Sequence, residues 1–543
     1  MQKRQKQLRK LKENSAMRNF FILTITFLLA SLSANSQVKD SELEKIQLSW
    51  QLITSFYVDS VDTQGLAEEA IVAMLEKLDP HSVYIPAEDV KTMNEPLDGN
   101  FEGIGIEFMI LKDTLLVVAT IPGGPSEKVG LMAGDHIIEI ESENVAGVGL
   151  TNSDVFDMLR GPKGTEVQLT ILRDDKRLNF IVERDEIPIH SLEASYLISP
   201  KTGYIKISRF SQSTYQEFEE GLKELKENDI ENLVLDLRGN GGGYLKAALD
   251  IADEFIGERR LLLYTDGMAI PRSEYHSKPG DLWENGKLIV LIDEGSASAS
   301  EIVAGAVQDW DRGIIMGRRS FGKGLVQRPF TLQDGSEIRL TIARYFTPSG
   351  RSIQKPYHNG LSEYHSEIFE RFEHGEFMYA DSVHMPDSLV YNTLEKNREV
   401  YGGGGIVPDV FIPMDTTYYT DYYRDLVASG TVNRLVMDML DENRDLWKER
   451  FPAFPDFSSE FEVPDSFIDE LVKKGEENDI APNQKELSIS EEWIRLQIKA
   501  LIARNLWDTG KYYQTINPAL PFFDKVIELV ENEDQYSKVF EKR

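Results

Sequence analysis

The chain has 543 residues, 41% of them hydrophobic and 10% aromatic, which marks folded protein of two to four domains and excludes a disordered chain. Its formal net charge of −32 repels nucleic acid and anionic membranes, so no nucleic-acid partner is expected. There is no cysteine, which excludes disulfides, thiol catalysis, cysteine zinc sites and a lipoprotein anchor.

Residues 1–36 read as a secretory signal. "MRNFFILTITFLLASLSANSQ" has a basic start, an apolar run from Phe20 to Leu32, and small residues before Gln37. The run falls short of the ~20 residues a spanning helix needs. Cleavage after Ala34 or Ser36, a true start at Met17 and a periplasmic destination are expected; an uncleaved inner-membrane anchor facing the periplasm is the alternative. Residues 38–98 form a helical region, with apolar positions at i, i+3, i+4 and i+7, broken by the two prolines of "DPHSVYIP". Residues 100–186 change to short β runs with two short helices, a small β-rich domain. From residue 191 strands and helices alternate, predicting an α/β core to residue 412, a sheet covered by helices. Within it, residues 358–400 are polar, hold four of the eight histidines and read as an insertion. Residues 413–543 are mostly amphipathic helix.

Three segments of the core carry chemistry. "GRRSFGKGLVQ", Gly317 to Gln327, fits three of the four fixed positions of a phosphate-binding loop. Position 324 is Gly where a magnesium-binding hydroxyl belongs, and the residues beyond it read as β structure rather than helix, so the nucleotide reading fails. "DEGSASASEIVAGAV" places small residues and hydroxyls between a buried strand and a helix; taken alone, its serines read as helix caps. "DLRGNGGGYL" ends an apolar strand in four glycines within five residues, able to aim bare N–H groups at an anion or merely to turn tightly.

In this order the three resemble the carboxyl-terminal processing (tail-specific) proteases, a serine–lysine endopeptidase family. "LDPHSVYIP", "GIGIEF", "PGGPSEKVGLMAGDHIIEI", "LRGPKGTEVQLTI", "GYIKISRF", "TPSGRSIQ" and "GIVPDV" extend the resemblance over residues 40–412. It implies an α/β protease core of the crotonase/ClpP-like kind, with an inserted PDZ domain and helical regions at both ends. It implies Ser298 as nucleophile, Lys323 as general base and Gln327 as its hydrogen-bonding partner. The oxyanion donors would be the amides of Ala299 and of Gly241 or Gly242. No cofactor and no metal are implied, and the histidines are scattered without metal-ligand spacing.

The residue types fit that chemistry. A lysine titrates ordinarily near ~10.4, too high for a base at neutral pH, and burial lowers it. The flanks of Lys323, from Phe321 to Val326, include no carboxylate to hold it charged. In extended backbone an offset of four places Lys323 and Gln327 on one face. The PDZ resemblance implies capture of polypeptides with apolar free C-termini by strand addition, at the loop of Gly103, Ile104, Gly105 and Ile106, with Arg160 relaying occupancy to the core. The helical tail is where an adaptor or a second copy would bind. An exported PDZ adaptor with an inactive core is the competing reading, and an acyl-transferring enzyme on a related core is a third.

Overall fold

The computed structural model describes residues 40–541 except 122, 174–175, 258, 280 and 281; the signal segment lies outside the described residues. The chain divides into two units, one ending at Lys77 and one running from Leu78. The first contains the helices Asp40–Phe56 and Thr63–Leu75, the second capped by the Asp62 carboxylate, which accepts from the amides of Gln64 and Gly65. Leu43, Ile46 and Phe56 of the first helix stay more than half exposed. Among the described residues no helix is long and apolar enough to cross a membrane.

The second unit is built on two sheets and the PDZ domain. The core sheet has six strands in the order Leu192–Ser199, Thr202–Ile207, Asn232–Asp236, Lys287–Ile292, Ile314–Gly317 and Val410–Phe411. The first pair is antiparallel and the rest are parallel. Their continuous apolar runs follow from burial on both faces: every residue of Asn232–Asp236 is buried, and Lys287–Ile292 is buried beyond its first residue. Helices Thr214–Lys226, Leu245–Asp253 and Ala299–Asp309 pack on one face, where Phe218, Ile251 and Val303 meet Leu235 and Val290. The other face is covered from the far end of the chain: Phe523, Val526, Leu529 and Val530 of Pro521–Glu531 pack with Tyr204, Val234, Ile289 and Met316.

A second, antiparallel sheet carries Val83–Ile85, Glu337–Phe346, Leu261–Asp266 and Ser273–His276, with Leu325–Thr331 also paired to Glu337–Phe346. Leu325–Thr331 is thus a strand, as the rejection of a nucleotide loop requires. The PDZ domain has its own six-stranded sheet, centred on Thr114–Thr120, His136–Ile140 and Glu166–Arg173, and two helices, Pro125–Val129 and Asn152–Leu159. A two-stranded ribbon, Asn100–Gly103 with Asp185–Pro188, brings its entry and exit together. The tail from Asp421 to Leu506 is five helices whose core takes in Val118, with Met109 packed against it, both PDZ residues.

Residues 358–400 form the helix Leu361–Glu373, two single 3₁₀ turns and the ribbon Val390–Asn392 with Glu399–Tyr401. His365 and His374 are exposed, but the segment is not a solvated surface throughout. Tyr364 is 2% exposed and Arg371 4%. Its polar composition hides buried ion pairs: the Arg319 guanidinium lies 2.7 Å from Glu376, and Lys355 2.9 Å from Glu367.

Candidate active site

Ser298 ends the loop between the core strand Lys287–Ile292 and the helix Ala299–Asp309. Its backbone has φ 55° and ψ −110°, a left-handed conformation that costs a non-glycine residue about 1–3 kcal/mol. Its neighbours are tied down: Ser296 Oγ donates to Leu237 O at 2.8 Å, and Ser300 Oγ donates to Asn240 O at 2.8 Å. Both hydroxyls therefore stitch this segment to the glycine loop. Ser298 itself is partly exposed.

The glycine loop presses directly on Ser298. A Cβ at Gly242, where φ is +102°, would lie 2.7 Å from Ser298 Cβ and 3.0 Å from the Ala299 amide nitrogen, so only glycine fits. The Gly242 N–H is already engaged, donating to Asn240 Oδ1 at 2.9 Å. Of the two glycines expected to furnish an oxyanion donor, Gly242 packs against Ser298 with its N–H engaged, while the Cβ position of Gly241 faces open space.

One buried carboxylate joins the serine segment to the lysine segment. Glu301, 0% exposed, accepts from Ser298 N at 2.8 Å and Lys323 N at 2.9 Å through Oε2, and from Gly322 N at 2.7 Å and the Ser320 hydroxyl through Oε1. The Tyr345 hydroxyl adds a second clasp, within 3.2 Å of Ser298 O and 2.9 Å of Lys323 O. The lysine segment is held from outside as well. Arg371 donates to Arg319 O and Ser320 O, at 2.7 and 3.1 Å, and Ile406 N donates to Ser320 Oγ at 2.7 Å.

The Lys323 amine donates to Gln327 Oε1 at 2.8 Å. A bulge between Val326 and Gln327 interrupts the ladder, so the contact is made across irregular backbone rather than on a uniform extended face. The Gln327 amide NH₂ donates onward to the main-chain carbonyl of His81. Burial pushes the Lys323 amine below the ordinary lysine range; the charges of Asp79 and Glu301 oppose that, and Arg339 supports it. The expectation of no carboxylate nearby thus holds along the sequence and fails in space, where two approach without reversing the effect of burial. Glu301 is itself pushed up by burial, against the four hydrogen bonds it accepts.

Asp79, His81, Glu301, Tyr345 and Tyr364 are the parts of this neighbourhood that sequence reasoning left unassigned. Asp79 and His81 lie in "LDPHSVYIP" and Glu301 in "SASASEI", so their segments were marked but their contacts were not.

In the PDZ domain Gly105 has φ +73°, and a Cβ there would meet Ile187 Cδ1 at 2.9 Å. Gly103 backs onto the Phe101 ring. Ile104 is 2% exposed, packs into the domain core, and accepts from Ser126 N at 3.0 Å; it supports the loop from within instead of facing a groove. Ile106 opens the edge strand Ile106–Leu111. Across from that strand, Phe156 of Asn152–Leu159 meets Phe108 edge-on at 5.4 Å. Arg160 stacks on Phe101 and Phe156 and pairs with Glu95 at 2.7 Å. Glu95 belongs to the helix Ala87–Asp98, whose Asp98 accepts from Tyr244 OH at 3.0 Å, the residue following the glycine loop.

Four family descriptions match the chain: peptidase family S41 over residues 201–361, a PDZ domain over 103–183, the activating protease CtpB N-terminal domain over 25–89, and a family of unknown function over 422–508. The carboxy-terminal-processing protease of Bartonella bacilliformis is 37% identical over 349 residues, covering 62% of this chain and 79% of that one. The carboxy-terminal processing protease CtpB of Bacillus subtilis is 37% identical over 331 residues, covering 60% and 68%. A solved PDZ domain of the carboxy-terminal protease from Vibrio cholerae, in complex with peptide, is 34% identical, with 16% of this chain and 97% of that one covered and a TM-score of 0.15. With its core, its inserted PDZ domain and these relatives, the chain belongs to peptidase family S41 and is a serine-type carboxyl-terminal processing peptidase.

Proposed function

We propose that this is an exported endopeptidase that binds the free C-terminus of a polypeptide in its PDZ domain and cleaves it with Ser298, Lys323 and Gln327. Neutral Lys323 takes the Ser298 hydroxyl proton as Oγ adds to the scissile carbonyl. The amides of Ala299 and Gly241 hold the oxyanion, each worth about 3–4 kcal/mol if preorganised. The Lys323 ammonium then returns the proton to the leaving amine, the peptide C–N bond breaks, and an acyl-serine remains. Water deprotonated by Lys323 attacks that ester, releases the acid and regenerates the serine. Gln327 orients the amine without restoring its charge, because an amide oxygen is neutral.

The observation that carries this reading is the 2.8 Å contact from Lys323 Nζ to Gln327 Oε1, in a pocket whose burial depresses the amine, on a segment bound to that of Ser298 by one carboxylate. For substrate choice we assign the domains as 100–186 for the PDZ and 191–412 for the protease core, with the edge strand from Ile106 as the site of peptide addition. The path Arg160–Glu95 and Asp98–Tyr244 supports a link from PDZ occupancy to the glycine loop. Export to the periplasm rests on the apolar run from Phe20 to Leu32. The test is cleavage of a peptide with an apolar tail, free or amidated at its C-terminus, by wild type, Ser298→Ala and Lys323→Ala. Loss of cleavage in both variants and slow cleavage of the amidated peptide are expected. Near-native turnover by Lys323→Ala would overturn the base assignment, and equal rates on both peptides would remove the PDZ domain from selection.

A further inference from the structure

The insertion reaches the general base through a chain of hydrogen bonds. Tyr364, on the helix Leu361–Glu373, is 2% exposed, and its hydroxyl lies 2.7 Å from His81 Nε2. The two rings meet edge-on at 5.3 Å, and both stand near Phe321, two residues before Lys323, with centroids 6.0 and 6.5 Å away. The Lys355 ammonium sits 4.2 Å over both Phe321 and Tyr364. His81 is faced by Lys323, Asp79, Lys355 and His365, and burial pushes its imidazole down to about 4. It is therefore neutral at working pH, and its Nε2 shares one hydrogen bond with the Tyr364 hydroxyl, whichever of the two carries the proton.

Both ends of His81 are thus fixed. Its N–H donates to Asp79 Oδ1 at 2.8 Å and its ring is held by Tyr364, which leaves its carbonyl aimed at the Gln327 NH₂. Gln327 Oε1 in turn receives the Lys323 amine. The helix bearing Tyr364 is anchored on the same loop, through Arg371 to the carbonyls of Arg319 and Ser320 and through Glu367 to Lys355.

We propose that Tyr364 is a positioning residue for peptide hydrolysis: through the main chain of His81 it fixes Gln327, and Gln327 fixes the amine of Lys323. The inference rests on the base assignment above and makes the insertion part of the machinery rather than a decoration on it. Tyr364→Phe keeps the ring and its packing and removes only the hydroxyl. In the full chain its kcat on the tailed peptide should fall about tenfold, as expected for a misdirected catalytic group, with KM unchanged. Labelling of Ser298 by a small fluorophosphonate, which needs no peptide docking, should slow by the same factor at an unaltered unfolding midpoint. His81→Ala breaks the chain from its other side and should match Tyr364→Phe, with the double variant no worse than either single one. Wild-type kcat in Tyr364→Phe, a loss confined to KM, or defects that multiply in the double variant would each overturn the proposal. Lys323→Ala separates the two claims: if it is dead while Tyr364→Phe is fully active, only this inference falls, and if it turns over, the base assignment falls with it.

Discussion

Replacing Glu301 by Gln changes one oxygen to NH₂ and nothing in shape, and the site should not survive it. Four donors converge on the two Glu301 oxygens, namely the amides of Ser298, Gly322 and Lys323 and the Ser320 hydroxyl. Such a set suits the ionised, acceptor-only carboxylate, and the three amides among the donors need an oxygen acceptor on both sides of the group. A glutamine amide can accept on one side only. With its oxygen toward Ser298 and Lys323, the Gly322 N–H loses its acceptor, while the Ser320 hydroxyl can turn; in the flipped orientation both the Ser298 and the Lys323 N–H are left facing an NH₂. One or two buried donors without acceptors, at about 1–3 kcal/mol each, amount to about 1–6 kcal/mol. Parting the segments that carry Ser298 and Lys323 would relieve that energy. A displacement of about 1 Å there costs on the order of a hundredfold in kcat. The assay pairs steady-state cleavage of the tailed peptide with urea unfolding of the same preparations. Glu301→Gln should lose at least about a hundredfold in kcat and unfold at lower urea. Because burial pushes the Glu301 carboxyl up, the substitution also reports its protonation: activity within about threefold of wild type at an unchanged midpoint would mean that a neutral group suffices, and the reasoning would be wrong.

Two further outcomes are expected. The rate kcat/KM should rise with pH as the Lys323 ammonium loses its proton, along a limb lying below the ordinary lysine range because burial disfavours the charged form. Asp79 opposes that shift from one side, with Glu301 opposing and Arg339 assisting from others; Asp79→Asn should therefore move the acid limb to lower pH, and a limb that stays put or moves up would contradict the assignment. Arg351, fully buried, pairs with the equally buried Asp309 at 2.8 Å and donates to Gln308 Oε1 at 2.7 Å. Arg351→Met leaves a buried carboxylate unpaired and should cost about 3–5 kcal/mol in urea unfolding.

What the sequence made readable and what it hid divide along a physical line. The core strands announced themselves because strands buried on both faces must be apolar throughout, as "NLVLD" and "KLIVLI" are. Ser298, Lys323 and Gln327 were legible only through the family resemblance, since alone the serines read as helix caps and the lysine segment as an incomplete phosphate loop. The groups that tune them did not, since nothing local relates Gln327 to His81, 246 positions away, or Thr341 to Asp79, 262 away. Carboxylates absent from the flanks of Lys323 arrive from elsewhere in the fold. The insertion hid its packing for a related reason: charged residues in sequence suggest a wet surface, yet Glu376 pairs with Arg371 and the distant Arg319, and Glu367 with Arg319 and Lys355, largely out of solvent. Within the glycine loop, sequence could not say that the Gly242 amide is engaged, because that depends on where the Asn240 side chain turns.

The helix Pro521–Glu531, which covers one face of the core sheet, has a bearing on biogenesis. Domains generally fold as they leave the ribosome, amino terminus first, but here Val234, Ile289 and Met316 wait for partners made almost three hundred positions after the first of them. Until those partners emerge, that side of the sheet presents an open oily plate. A chain cut short upstream of Phe523 should therefore keep that face bare and aggregate more readily than the full-length protein.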